Sequence, residues 1–232
     1  MTSAPETSNA VVWRTEYERG GIPSSVREGP SGSVVIFLEF ARAHGIDVGN
    51  AIDIGCGSGR NSIYLASLGY QVTAMDFVAP SIANLNRNAQ AVGLPVIGVC
   101  HDVRQPWPIP DRSCTLGIDA FCFKHQIDRQ DLAAYTRHAA RTLAPGGLLM
   151  VSFAGRRDGY YAQFPTSYQD GLGQIILDPG NQILSRLYDP EEVIGQFELF
   201  EGVKQISKTS VNEMHGQSYE RETHVVYLRR RE

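Results

Sequence analysis

The chain has 232 residues, 42% of them hydrophobic and 20% charged, the balance of a soluble globular protein with length for one sizeable α/β domain rather than two. A formal net charge of -4 argues against general affinity for nucleic acid or an anionic membrane. No apolar run approaches the ~20 residues of a membrane span and the polar N-terminus lacks a signal-peptide core, so the expected setting is the cytoplasm, with no nucleic-acid or membrane partner.

Residues 1–10 are small and polar and read as disordered. Trp13 and Tyr17 stand four apart, as on one helix face, before a breaker-rich stretch over 20–30. A helix starts at Ser33 with Val34, Leu38 and Ala41 on one side; because residues 1–45 precede the first core strand, they read as a lid or as padding on the sheet. A strand over 51–54 runs into a glycine loop. A helix follows with Tyr64, Leu65 and Leu68 facing inward and ends at Gly69. The second strand covers 70–75. The next helix opens with Pro80 and carries Ile82, Leu85 and Ala89 at helical spacing. Strands over 96–100 and 115–118 end at His101-Asp102 and at Asp119. Asp128 is placed to cap a helix striped by Leu132, Tyr135, Ala139 and Leu143; Pro145-Gly146-Gly147 stops it before a strand over 148–153. This alternation predicts a mostly parallel sheet with right-handed crossovers and helices on both faces.

Residues 155–188 break the rhythm, with Tyr160, Tyr161, Phe164 and Tyr168 among Gly, Pro, Gln and Asp. Asp189-Pro190-Glu191-Glu192 looks like a capping box, and runs over 200–207 and 219–229 should close the chain as a hairpin. The implied division is a lid segment (1–45), a core (46–154), an aromatic insertion (155–188) and a C-terminal helix and hairpin (189–232) of one domain. Cys56, Cys100, Cys114 and Cys122 show no paired spacing and read as reduced thiols. The six histidines and four cysteines never fall into zinc-ligand spacing, so no metal is expected. The Arg229-Arg230-Arg231 run reads as a solvated terminus.

The most telling stretch is Ala51-Ile-Asp-Ile-Gly-Cys-Gly-Ser-Gly-Arg-Asn61. A strand reaches Asp53 and then three glycines spaced two apart, Gly55, Gly57 and Gly59; Asp76 ends the next strand 21 residues after Gly55. Bare backbone beside a strand-end carboxylate suits a small ligand with a ribose. A dinucleotide fingerprint needs glycine at its sixth position, where Arg60 stands. Two carboxylates around the loop also suit a cation better than a pyrophosphate.

The acid-x-Gly-x-Gly-x-Gly pattern resembles motif I of the class I S-adenosylmethionine-dependent methyltransferases. The stretch from Gly59-Arg60-Asn61-Ser62 through Tyr64-Leu65-Ala66 and Gly69-Tyr70, with Ser81-Ile82-Ala83-Asn84, resembles their tellurite-resistance (TehB-type) branch. That resemblance implies a Rossmann-like fold with a seven-stranded, mostly parallel sheet and a reversed C-terminal strand. It also implies a methyl transfer from S-adenosylmethionine, leaving S-adenosylhomocysteine, to a small nucleophile. Asp76 would accept hydrogen bonds from the ribose hydroxyls, and Gly55, Gly57 and Gly59 would lie along the methionine and ribose. Asp53 would orient the loop or the methionine ammonium, or serve structure alone. Asp102 would receive the adenine amino group, with the Val103 amide on a ring nitrogen, while Asp119 would lie beside the methionine. Cys56, Asn61, Phe77 and Ala120 complete the cofactor set.

A TehB-type histidine–arginine pair is matched, two residues out of step, by His215 and Arg221. His215 and His125 are candidate bases or substrate anchors, and Arg221 a candidate anion holder. Tyr17, Phe121, Lys124, Tyr160 and Tyr161 are expected along the substrate pocket; His44, His138 and His224 read as surface. Aromatic content leans toward an organic metabolite, handled by a monomer or homodimer. A non-catalytic cofactor-binding protein and, less favoured because of Arg60, a nicotinamide-dependent oxidoreductase are the alternatives.

Overall fold

The computed structural model describes residues 8–20, 27–169 and 171–232. Ten strands and six helices are named here in chain order: α1 (Ser8–Arg19), α2 (Gly32–Ala43), β1 (Gly49–Ile54), α3 (Arg60–Ser67), β2 (Tyr70–Asp76), α4 (Ala79–Ala91), β3 (Val96–Cys100) and β4 (Cys114–Ala120). They continue as α5 (Arg129–Thr142), β5 (Leu143–Ala154), β6 (Thr166–Gln169), β7 (Gln174–Asp178), β8 (Ile183–Leu187), α6 (Pro190–Gln196), β9 (Phe200–Met214) and β10 (Gln217–Arg230). The main sheet has the order β3-β2-β1-β4-β5-β10-β9. β1 to β5 pair in parallel and β10 runs antiparallel to both β5 and β9.

Hydrophobic patterning explains these elements. β1 buries Ala51, Ile52, Asp53 and Ile54 in succession, as a central strand covered on both faces must. Two cores result, one on each face. One gathers Ile52, Ile54, Phe123, Tyr135, Phe153 and Phe197. The other gathers Val34, Phe37, Leu65, Val72, Leu85 and Tyr227. Asp128 caps α5 by accepting from the Gln130 amide at 2.7 Å, and Asp189 and Glu192 close the capping box of α6.

The structure corrects several boundaries. Residues 8–10, expected to be disordered, begin α1; residues 1–7 and the 21–26 part of the breaker-rich stretch lie outside the described residues. Leu143 starts β5 rather than ending a helix, so the strand carries Pro145-Gly146-Gly147 within it. The buried side of α3 is Asn61, Ser62, Leu65 and Ala66, with Tyr64 and Leu68 half-buried beside it. The hairpin runs seven residues further along β9 than its apolar pattern reached, because residues 208–213 are mostly polar, with Lys208, Ser210 and Asn212 turned to the cavity rather than to an apolar core. The insertion is a three-stranded antiparallel sheet, β6-β7-β8. Arg230 ends a strand and donates to the Ala140 carbonyl at 2.8 Å, and His224 is 4% exposed with Nδ1 2.8 Å from Ser207 Oγ. His224 is therefore buried rather than at the surface, Arg230 is half-buried, and Arg231 and Glu232 are exposed.

Candidate active site

The parallel strands end along one edge, and the order reverses between β1 and β4, the place where open α/β sheets bind ligands. A cavity of about 900 Å³ follows that edge. Gly55, Asp76, Phe77, Val78, Asp102, Val103 and Ala120 line it near β1, β2 and β4. Phe121, Lys124, His125, Tyr161, Ser185 and Arg221 line it toward β5, β8 and β10.

The glycines turn the chain sharply: Gly55, Gly57 and Gly59 have φ of 66°, 54° and 78°. Asp76 ties this loop to the end of β2, its Oδ2 accepting from the Gly57 amide and its Oδ1 from the Val78 amide, both at 2.9 Å. Each oxygen keeps a further lone pair for a hydroxyl facing the cavity. Burial raises the Asp76 pKa against the pull of those amides. These features fit the ribose of an adenosyl cofactor.

Asp53 lies beneath the loop, outside the cavity lining, and accepts from Ser62 Oγ at 2.6 Å. Burial pushes its carboxyl up to about 7. Asp119 is likewise fully buried and outside the lining; it accepts from the Cys122 amide at 2.8 Å and from the Tyr135 hydroxyl, and burial pushes it to about 7. Its position beneath the switch point orders the turn that follows β4. Phe121, in that turn, has φ 76°, a costly conformation for an aromatic residue and one that clusters at functional sites.

Asp102 lines the cavity, yet both of its oxygens engage Arg104, whose Nε lies 2.9 and 3.0 Å away. Burial raises the Asp102 pKa, but these bonds outweigh it and hold the carboxyl below its usual range. Val103 presents its carbonyl to Trp107 Nε1 at 2.8 Å. Asn61 accepts from the Ser31 amide at 2.9 Å, and Arg60 donates to the Gly29 carbonyl and to Ser31 Oγ, both at 2.8 Å. Arg60, which breaks the dinucleotide pattern, and its neighbour Asn61 therefore tether the N-terminal segment. Cys56, Gly57, Gly59 and Asn61 do not line the cavity.

Helix α1 roofs the site. A Cβ at Gly57 would lie 2.1 Å from the Tyr17 hydroxyl, and Trp13 meets His125 edge-on with centroids 4.8 Å apart. Arg27 adds a 2.7 Å bond to Asn212 on β9. The buried Glu16 carboxylate lies 3.6 Å from His215 Nδ1.

The histidine–arginine pair is set apart by the fold. Arg221 lines the cavity, but its Nε donates to both oxygens of the buried Asp158, at 2.8 and 2.7 Å, so its charge is already matched. His215 lies in the β9–β10 turn, paired with the lid and outside the cavity lining, as is Tyr160, whose hydroxyl donates to Asp178. His125 does line the cavity. Its Nδ1 donates to the Leu184 carbonyl at 2.9 Å, which leaves Nε2 as an acceptor, and burial followed by the charge of Lys124 pushes its pKa well below the usual value.

Asp158, Asp178, Ser185 and Glu16 escaped the sequence reading. The Asp178-Pro179-Gly180-Asn181 turn between apolar runs was the available signal for the β7–β8 hairpin that carries Ser185. Among the described residues no helix is long and apolar enough to cross a membrane.

Residues 51–147 match the family described as "Methyltransferase domain". The core of this chain is thus similar to a methyltransferase domain over less than half of its residues. Over 117 residues, 50% of the chain, it is 44% identical to the Haemophilus influenzae protein named "Probable S-adenosyl-L-methionine-dependent methyltransferase TehB", of which the match spans 40%. The chain thus spans less than half the length of the curated relatives it matches. The solved structure of H. influenzae TehB superposes with a TM-score of 0.62 at 20% identity, covering 87% of this chain and 62% of that one. A Burkholderia thailandensis 1,6-didemethyltoxoflavin-N1-methyltransferase, solved with that compound and S-adenosylhomocysteine, superposes at 0.70 with 21% identity, over 100% of this chain and 93% of its own. The α/β core and the C-terminal hairpin thus share one fold with both.

Proposed function

We propose that this protein transfers a methyl group from S-adenosylmethionine to a nucleophilic atom of a small organic molecule. The observation that carries the reading is Asp76: a buried strand-end carboxylate, tied to a three-glycine loop and opening onto a cavity at the switch point. The methyltransferase-domain match over 51–147 supports the reaction class, and the aromatic lining supports an organic acceptor.

When bound, the cofactor supplies an electrophilic methyl: the acceptor's lone pair forms the new bond as the carbon–sulfur bond breaks and sulfur keeps the electron pair. The chain's own residues then do four things. Asp76 holds and orients the ribose. The carboxylates of Asp53 and Asp119, buried below the loop, favour a positive charge above it. Helix α1 keeps water out with Trp13 and Tyr17, which matters because alignment and a dry cavity are the protein's main contribution. His125 Nε2, the acceptor nitrogen of a neutral ring, takes the acceptor's proton where one must leave.

The test is release of S-adenosylhomocysteine by purified protein given labelled S-adenosylmethionine and a panel of hydroxy, amino and thiol compounds. Methylated product supports the reading; cofactor binding without turnover on any compound would favour a binding protein instead.

A further inference from the structure

Of the two buried cations that line this cavity, Lys124 and Arg221, Lys124 is the one without a carboxylate partner among the described residues. It follows β4 in the turn Phe123–His125, is 4% exposed, and lines the cavity. Its Nζ donates to two neutral hydroxyls, that of Tyr161 and, at 3.1 Å, that of Ser185, and sits 4.4 Å from the Tyr161 ring centroid. Among the described residues no carboxylate comes within ion-pair distance of it. Its neighbour Arg221 differs: that guanidinium is held by Asp158. A buried ammonium served only by hydroxyls and a ring face bears a desolvation cost that hydroxyls offset incompletely, and it retains a third N–H. Three separate elements converge to hold it there: the turn after β4, the turn after β5 and strand β8.

Asp76 lies at the β2–β3 end, where a sulfonium cofactor is placed by the proposal above, beside an Asp102 already paired with Arg104; Lys124 lies toward β5, β8 and β10, where Arg221 is paired with Asp158. Phe121, Tyr161 and Ile183 supply apolar wall between them.

We infer that Lys124 is the anion anchor of the acceptor site, and that the acceptor is an aromatic organic acid whose carboxylate bonds to Nζ while its nucleophile faces the cofactor. This inference rests on the methyl-transfer reading. It assigns the recognition role to Lys124 in place of His215 and Arg221.

The experiment uses full-length protein saturated with S-adenosylhomocysteine and titrated with 2-, 3- and 4-hydroxybenzoate and with the matching hydroxybenzamides. In the wild type at least one acid should bind about 10- to 100-fold more tightly than its amide, the value of a buried charge-assisted hydrogen bond. Lys124→Met should erase that preference while leaving S-adenosylhomocysteine affinity within about twofold; Lys124→Gln serves if the methionine variant does not fold, and the wild-type comparison needs neither. Equal binding of acids and amides, no acid binding at all, or a preference that survives both substitutions would overturn the inference. Failure of S-adenosylhomocysteine itself to bind would instead overturn the cofactor reading, so the two failures are distinguishable.

Discussion

Replacing Arg221 with methionine separates a structural cation from a substrate anchor. The side chain is 8% exposed, bonds Asp158 at 2.8 and 2.7 Å, and lies 5.6 Å from the ring centroids of both Tyr160 and Tyr161. Removing one partner of a buried pair costs about 3–5 kcal/mol, because the other charge is left uncompensated. Asp158 would keep two backbone donors, Tyr160 N at 3.1 Å and Tyr161 N at 3.3 Å, which places the expected loss near the lower end, about 3 kcal/mol. For a domain of this size that lowers Tm by roughly 6–12 °C, readable in thermal and urea unfolding. Adding Asp158→Asn should recover part of the loss, since the uncompensated charge is gone. An Arg221→Met protein with unchanged Tm but lost turnover would refute this reasoning and return Arg221 to the role of an anion holder.

Three further outcomes follow from the geometry. Gly57→Ala, at φ 54° with its Cβ 2.1 Å from the Tyr17 hydroxyl, should displace α1 and weaken S-adenosylhomocysteine binding about tenfold or more, with part restored by adding Tyr17→Ala; calorimetry reads both, and a tolerated Gly57→Ala would contradict the lid. Asp53 and Asp119, both pushed to about 7 by burial, hold their protons more tightly in the folded chain than in the unfolded one, so stability is fully present below pH 3.8 and declines as pH rises through about 7. A sulfonium above them favours their ionised forms, so S-adenosylmethionine affinity should rise between about pH 6 and pH 8 more than that of neutral S-adenosylhomocysteine; parallel profiles would contradict the electrostatic account. Asp128→Ala should cost about 1 kcal/mol in urea unfolding by removing the α5 cap, with no change in cofactor affinity.

The core was legible because its signals are local. Apolar runs, the glycine loop and strand-end acids lie within a few residues of each other, and the backbone realises them with Asp76 held to Gly57 and Val78. What escaped depends on contacts distant in sequence. Arg221 reads as an available cation until the fold brings Asp158 to it, 63 residues away. Lys124 reads as one pocket residue among several until Tyr161 and Ser185 converge on it. His215 looked like a chemical group because it stands near Arg221 in sequence, but the β9–β10 turn carries it to Glu16 of the lid. The insertion was opaque for another reason: its strands are four or five residues long and mix polar with apolar side chains, so no period survives in so short a window.

A crystal structure of the S-adenosylhomocysteine complex tests the central claim most directly. The account predicts one molecule along the carboxyl ends of β1, β2 and β4, with both ribose hydroxyls within hydrogen-bond distance of the Asp76 carboxylate. A molecule bound outside that crevice, or an Asp76 that contacts only the Gly57 and Val78 amides while the ribose lies elsewhere, would contradict it.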